Sequence, residues 1–250
     1  MNNKKRLDLL LFERKLVDSR AKGQAFIMAG LVLVNDKKET KAGANFEEDA
    51  KIEILETSRY VGRGAQKLEQ AYEEFKLNFE NKIVADIGSS TGGFTDFALQ
   101  HEAKKVYAID VGTGQLEWRL RNDPRVVVME KTDFRKIKEL PELIDMFVID
   151  VSFISIRKML EHLRKMQNVE CRMQNMDIIL LFKPQFEAGK KIADKYKGVI
   201  TDPEIHKKLL EDFHKWCEDE GFGILGEIES PILGAKGNKE FLLWLRIINF

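Results

Sequence analysis

From residue 82 onward the chain alternates between two periodicities. Apolar, β-rich runs recur as KIVADIG (82–88), KVYAIDVG (105–112), RVVVME (125–130), MFVIDVS (146–152) and DIILLFKPQ (177–185). Each has the length of a strand and too little alternation for a face in water. Helix-like segments at 91–101, 115–121, 135–140 and 156–167 separate them. Such alternation requires right-handed crossovers and predicts an α/β fold, a mostly parallel sheet with helices on both faces. A polar loop is expected at 186–200. DPEIHKKLLEDFHKWCEDEGF then reads as a long helix, with Pro203 near its start and Gly221 after its end. The remainder, GILGEIESPILGAKGNKEFLLWLRIINF, reads as two strands around a glycine-containing loop. A closing hairpin on a parallel sheet departs from a simple dinucleotide-binding order.

The first part of the chain has a different rhythm. In KRLDLLLFERKL the apolar Leu7, Leu9, Leu10, Leu11, Phe12 and Leu16 form one helical face. Ser19 stands where an N-cap belongs, and RAKGQAFIMA runs to Gly30, a helix stop. LVLVNDKK reads as a strand and a turn at Asn35-Asp36, and AKIEILE (50–56) as another strand. The expected organisation is a small α+β module at 1–58, a linker at 59–65 and a larger module at 66–250.

Composition narrows the class. The 250 residues are 44% hydrophobic with a mean hydropathy of −0.32, enough apolar content for a core. No apolar run approaches the roughly 18 residues that cross a bilayer, and the charged N-terminus does not read as a signal peptide. A cytoplasmic protein with no membrane partner is expected. Cys171 and Cys217 stand alone, and His101, His162, His206 and His214 share no ligand spacing, so no metal site is expected. Residues 1–45 hold ten Lys or Arg against five Asp or Glu, a local +5 that leaves −5 for the rest of a formally neutral chain. A basic module on a neutral chain points to an anionic partner.

The candidate chemistry starts at DIGSSTGGFTDF (86–97), a glycine-rich turn between a strand and a helix. It lacks both G-x-G-x-x-G and G-x-x-x-x-G-K-[ST]. Asp86 at its strand's end would repel a pyrophosphate and would suit a ligand with a cationic end. S-adenosylmethionine is such a ligand, an adenosine with an ammonium, a sulfonium and no phosphate. Gly88, Ser89, Ser90, Gly92, Gly93 and Phe94 would form the turn around it. Asp110 would take the ribose hydroxyls and Asp133 the adenine amino group, with Asp150 beside them. An N/D-P-P-Y/F stretch after the fourth strand is missing, and no cysteine lies at a strand end, so base methylation of either common kind is not indicated. The strand ends offer Asp150 and Lys183 instead. Pro184 keeps Lys183 extended, and this lysine is a candidate proton acceptor.

Residues 6–38, RLDLLLFERKLVDSRAKGQAFIMAGLVLVNDKK, resemble the small RNA-binding domain named after ribosomal protein S-four. That resemblance implies that Lys4, Lys5, Arg6, Arg20 and Lys22 face RNA phosphates. RYVGRGAQKLEQA and GNKEFLLW resemble the ribose 2′-O-methyltransferases of the FtsJ type. Their catalytic Lys-Asp-Lys-Glu set would fall at Lys67, Asp150, Lys183 and Glu240. Together with DVSFIS and KPQFE, these stretches make the whole chain similar to the TlyA family, also labelled hemolysins, which methylates ribosomal RNA. Membership implies a Rossmann-like, seven-stranded methyltransferase fold, S-adenosylmethionine as cofactor, and ribosomal RNA or a ribosomal subunit as partner, with a cytidine ribose as acceptor. Ala65 stands where the family pattern has a glycine. Arg63, and Lys190, Lys191, Lys195 and Lys197 in the basic segment after Lys183, are further candidate RNA contacts. The competing readings are an RNA-binding assembly factor without chemistry and a membrane-acting hemolysin.

Overall fold

The computed structural model describes residues 4–17, 19–55, 59–166 and 176–248; Cys171 lies outside them. The chain divides into two compact units, Met1–Arg59 and Tyr60–Phe250.

The first unit runs β1 (Lys4–Arg6), α1 (Leu7–Glu13), α2 (Arg20–Met28), β2 (Val32–Val34), β3 (Lys37–Glu39), β4 (Asn45–Glu47) and β5 (Ile52–Ile54). Ser19 caps α2 by accepting from the Lys22 N–H at 3.2 Å. Asn35 and Asp36 both adopt positive φ, 51° and 63°, the conformation of a two-residue hairpin turn, and β2 pairs with β3 across it. Leu7, Leu11, Val17, Ile27, Val32 and Val34 bury themselves between the helices and strands.

The second unit contains α3 (Gly64–Phe75), β6 (Ile83–Ile87), α4 (Gly93–Gln100), β7 (Lys105–Ile109), α5 (Trp118–Arg121), β8 (Val126–Met129) and β9 (Met146–Ile149). It continues with α6 (Arg157–Lys165), β10 (Asp177–Phe182), α7 (Pro184–Glu187), α8 (Gly189–Lys195), α9 (Pro203–Asp219), β11 (Phe222–Glu229) and β12 (Phe241–Ile247). The seven strands form one sheet in the order β11-β12-β10-β9-β6-β7-β8. Pairing is parallel from β10 through β8 and antiparallel where β12 meets β10 and β11. The continuous apolar runs have a simple cause. Along β9, Phe147 and Ile149 pack with Met159, Leu160 and Phe213 on one face. Met146 and Val148 pack with Leu68, Phe94 and Phe97 on the other. Both faces are covered, so no position faces water.

Three expected elements differ. The segment 135–140 holds one 3-10 turn, Phe134–Lys136, after which Ile137 is extended; Pro141 disfavours helix in the residue before it. The stretch expected as a loop at 186–200 is largely helical, because Pro184 starts a turn with its φ already set and the polar residues after it include strong helix formers. Helix α5 is also shorter than expected. No helix among the described residues is long and apolar enough to cross a membrane.

Candidate active site

Parallel strands carry their C-terminal ends to one edge of a sheet, and binding sites form there. Asp86 lies near the end of β6, Asp150 directly follows β9, and Lys183 directly follows β10. Strand β12 runs the other way, so Glu240, just before it, arrives at the same edge. The register makes this concrete, since Phe182 pairs with Phe241. Lys67 comes from α3.

The four side chains form one string. Lys183 Nζ lies 2.5 Å from Asp150 Oδ1, Asp150 Oδ2 lies 3.7 Å from Lys67 Nζ, and Lys67 Nζ donates to Glu240 Oε2 at 2.7 Å. Lys67, Lys183 and Glu240 are buried, at 8%, 7% and 3% exposure. Two cations and two anions alternate, which is the arrangement that lets charge persist away from water. Lys183 also donates to the Ser152 hydroxyl at 3.0 Å. The loop bearing Glu240 presses on it: a Cβ on Gly234 would come 2.0 Å from the carboxylate.

Two cavities adjoin this string. One, of about 240 Å³, is lined by Arg63, Lys67, Asp86, Gly88, Ser89, Ser90, Gly93, Phe94 and Asp150 among others. The second, of about 570 Å³, is lined by Gly88, Ser90, Asp110, Asp133, Asp150 and Phe153 among others. Gly88 lets the ends of β6 and β9 lie close together by having no side chain. At φ +85°, a Cβ there would meet the Asp150 carbonyl oxygen at 2.4 Å. Gly92 lines neither cavity.

Asp86 is fully enclosed. Its Oδ2 accepts from the Thr95 hydroxyl at 2.6 Å, while Oδ1 is buried without a hydrogen-bond partner. Burial pushes its carboxyl up to about 7, and the negative Asp150 and Asp110 add to the rise. An unpaired buried carboxylate oxygen beside a polar cavity is open to a cationic partner. Asp110 accepts from the backbone N–H groups of Ser90 (2.8 Å) and Gly112 (2.6 Å), which fixes the glycine-rich turn against β7. Asp133 caps the 3-10 turn and pairs with Arg135 Nη2 at 2.7 Å; this arginine holds its carboxyl below the ordinary value.

Four of the five candidate RNA contacts in the first unit are engaged with acids. Lys4 faces Glu47 at 3.7 Å, Lys5 pairs with Glu13 and Glu48 at 2.9 and 3.0 Å, and Arg6 and Arg20 share Asp8. Lys22 lies 5.8 Å from the Phe26 ring centroid. In the second unit, Lys195 sits over Tyr196. The side chains of Lys190 and Lys191 lie outside the described residues. Sequence reasoning did not single out Ser152, Thr95 or Phe153. Phe153 is 92% exposed with φ +64°, an uncommon combination for an aromatic residue. For Ser152 and Phe153 the signal was adjacency to Asp150, whereas Thr95 reaches Asp86 from the first turn of α4.

The description FtsJ-like methyltransferase matches residues 60–247. The chain belongs to the FtsJ-like methyltransferase family. An S4 domain matches residues 5–52 of this methyltransferase. It is 45% identical to YqxC of Bacillus subtilis over 98% of this chain and 86% of that protein. It is 37% identical to the 16S/23S rRNA (cytidine-2′-O)-methyltransferase TlyA of Mycobacterium tuberculosis, over 98% of this chain and 91% of that one, which makes it a TlyA-type member of the family. A solved structure bearing a hemolysin designation, from Streptococcus thermophilus, superposes with a TM-score of 0.72 at 39% identity, covering 100% of this chain and 90% of that one.

Proposed function

We propose that this methyltransferase transfers a methyl group from S-adenosylmethionine to a ribose 2′-hydroxyl of ribosomal RNA. The observation that carries the reading is the buried string Lys183–Asp150–Lys67–Glu240 beside the cavity that Asp86 closes. The residues fit the donor. The unpaired Asp86 Oδ1 receives its ammonium. Asp110 and Asp133, along the second cavity, take the ribose hydroxyls and the adenine amino group, and Gly88, Ser89, Ser90, Gly93 and Phe94 surround it. Gly92 shapes the turn. Bound there, the donor supplies a methyl group on a positively charged sulfur.

The rest is the work of the chain's own residues. Lys183 Nζ, in its uncharged amine form, meets the 2′-hydroxyl and receives its proton. Asp150, between two amines, keeps Lys183 aimed and Lys67 in reach of the same hydroxyl. Glu240 offsets the charge of Lys67. Holding the hydroxyl in line with the methyl group supplies most of the gain, as orientation can contribute roughly 7–11 kcal/mol. The first module, read as residues 1–58 and joined through 59–65 to the catalytic module 66–250, holds the RNA backbone through Lys4, Lys5, Arg6, Arg20 and Lys22. Arg63, Lys190 and Lys191 extend the contact, and the cytoplasm is where the enzyme meets its substrate. The M. tuberculosis relative, a 16S/23S rRNA (cytidine-2′-O)-methyltransferase by name, points to a cytidine as the methylated nucleotide.

The test is a map of 2′-O-methyl positions in ribosomal RNA from cells with and without the gene. At least one methylated cytidine is expected to vanish in its absence and return with the intact protein. An unchanged map removes the proposal.

A further inference from the structure

The first unit contains a buried carboxylate that the mechanism does not use. Asp8, on α1, is 0% exposed, yet two of its partners are not buried. Arg6 donates to it through Nε and Nη2, both at 3.0 Å, and Arg20 through Nε at 3.0 Å. Gln24 Nε2 completes the set at 2.6 Å. The arginine side chains remain 45% and 46% exposed. These donors occupy both oxygens of Asp8, so it is not itself a receptor for a ligand. Arg6, with help from Gln24 and Arg20, holds its carboxyl well below the usual range against the effect of burial. The charge is therefore present at any working pH.

The cluster is lopsided as a structural device. A buried carboxylate is a weak source of stability, and the guanidiniums that neutralise it are far less covered than it is. Here Nη1 of Arg6 and both Nη atoms of Arg20 make no hydrogen bond to the described residues. Two cations anchored on one anion leave a net positive charge with several outward donors. A guanidinium fork matches two oxygens of a phosphate.

We propose that Asp8 is a positioning residue for RNA, holding Arg6 and Arg20 together as a preformed clamp for one backbone phosphodiester. This rests on the reading of the first module as RNA-binding and adds the part played by an acid within it. A long arginine loses rotamer freedom when it grips a phosphate; on Asp8 that freedom is already lost on folding.

Asp8→Asn separates this from plain electrostatics, because the two act in opposite directions. Removing a negative charge should tighten binding to a polyanion, whereas removing the anchor should weaken it. With the full-length protein and purified ribosomal RNA, Asp8→Asn is expected to bind roughly five- to tenfold more weakly. Arg6→Ala and Arg20→Ala should each weaken the parent protein but cost little more in the Asp8→Asn background. A folded Asp8→Asn protein that binds as tightly as the parent, or more tightly, overturns the proposal. Should Asp8→Asn unfold the module, Arg6→Lys and Arg20→Lys carry the test, keeping the charge and losing the fork; parent-like affinity in both overturns it equally. If neither alanine variant weakens binding, the RNA-binding reading of the module fails as well, while methyl-donor binding in the second unit is untouched.

Discussion

Two clusters of carboxylates and cations, one around Asp8 in the first unit and one around Asp150 in the second, are built in opposite ways. Around Asp8 the acid is buried and the cations are half exposed. Around Asp150 the cations are buried and that acid is the most exposed member, at 21%. The cations differ too: arginines in the first cluster, lysines in the second. An arginine keeps its proton and offers a planar fork of donors, which suits a phosphate in water. A lysine is a compact amine that can exchange its proton, which suits one small hydroxyl in a closed pocket. Burial and cation type thus fit the proposed division, with recognition at one cluster and proton transfer at the other.

The largest expected effect tests that assignment directly. Lys183→Ala should lower the methylation rate about 10²- to 10⁴-fold while leaving methyl-donor binding intact, measured by calorimetry alongside single-turnover assays. Lys183→Arg keeps a cation that cannot become a neutral proton acceptor, so it should be as inactive. An active arginine variant would erase the distinction between the clusters.

Next comes stability. Lys67→Ala strands Glu240, 3% exposed, without its 2.7 Å partner. Leaving one member of a buried pair costs about 3–5 kcal/mol, so the unfolding midpoint should fall on the order of 10 °C. Lys67→Met combined with Glu240→Leu should recover most of the stability and none of the activity, which a thermal melt and a methyl-transfer assay read separately.

How much of this was legible in the sequence follows from what periodicity can encode. Strands β6, β7, β9 and β10 were readable because burial on both faces leaves an unbroken apolar run. Asp86, Asp150 and Lys183 were readable because a polar residue ending such a run must sit at the sheet edge. Glu240 was not readable that way; its position depends on β12 running against β10, and only the resemblance to a known family pointed to it. The acids facing the basic residues were missed for a related reason. Lys4 meets Glu47 because β1 pairs with β4 in that register, and a three-residue strand has no periodicity to read. Ser152 and the positive φ of Phe153 belong to a loop whose conformation no pattern announces.

A smaller effect concerns pH. The Asp86 carboxyl rises from an ordinary 3.8 to about 7, so the free protein favours its protonated form. That contribution to stability is complete below the ordinary value and is lost as pH rises through about 7. A cationic ligand wants the ionised form, so its affinity should run the other way. S-adenosylmethionine should bind about tenfold more weakly for each pH unit below about 7, and Asp86→Asn should bind weakly with a flatter profile. A parent profile that is flat between pH 6 and 8 would detach Asp86 from the ammonium.

The smallest effect is predicted where the comparison is most exposed to failure, at an ion pair in water. Lys5 pairs with Glu13 at 2.9 Å and Glu48 at 3.0 Å, distances close to that between Lys67 and Glu240, but its side chain is 37% exposed. Water and salt screen such a pair, and exposed pairs contribute little to folding. Lys5→Ala should therefore leave the unfolding midpoint unchanged. It should also reduce the salt dependence of RNA binding by about one counterion, without altering which RNA is preferred. If Lys5→Ala destabilised the protein as much as Lys67→Ala, burial would not be what separates the two clusters, and the division of labour between arginine and lysine would have to rest on cation chemistry alone.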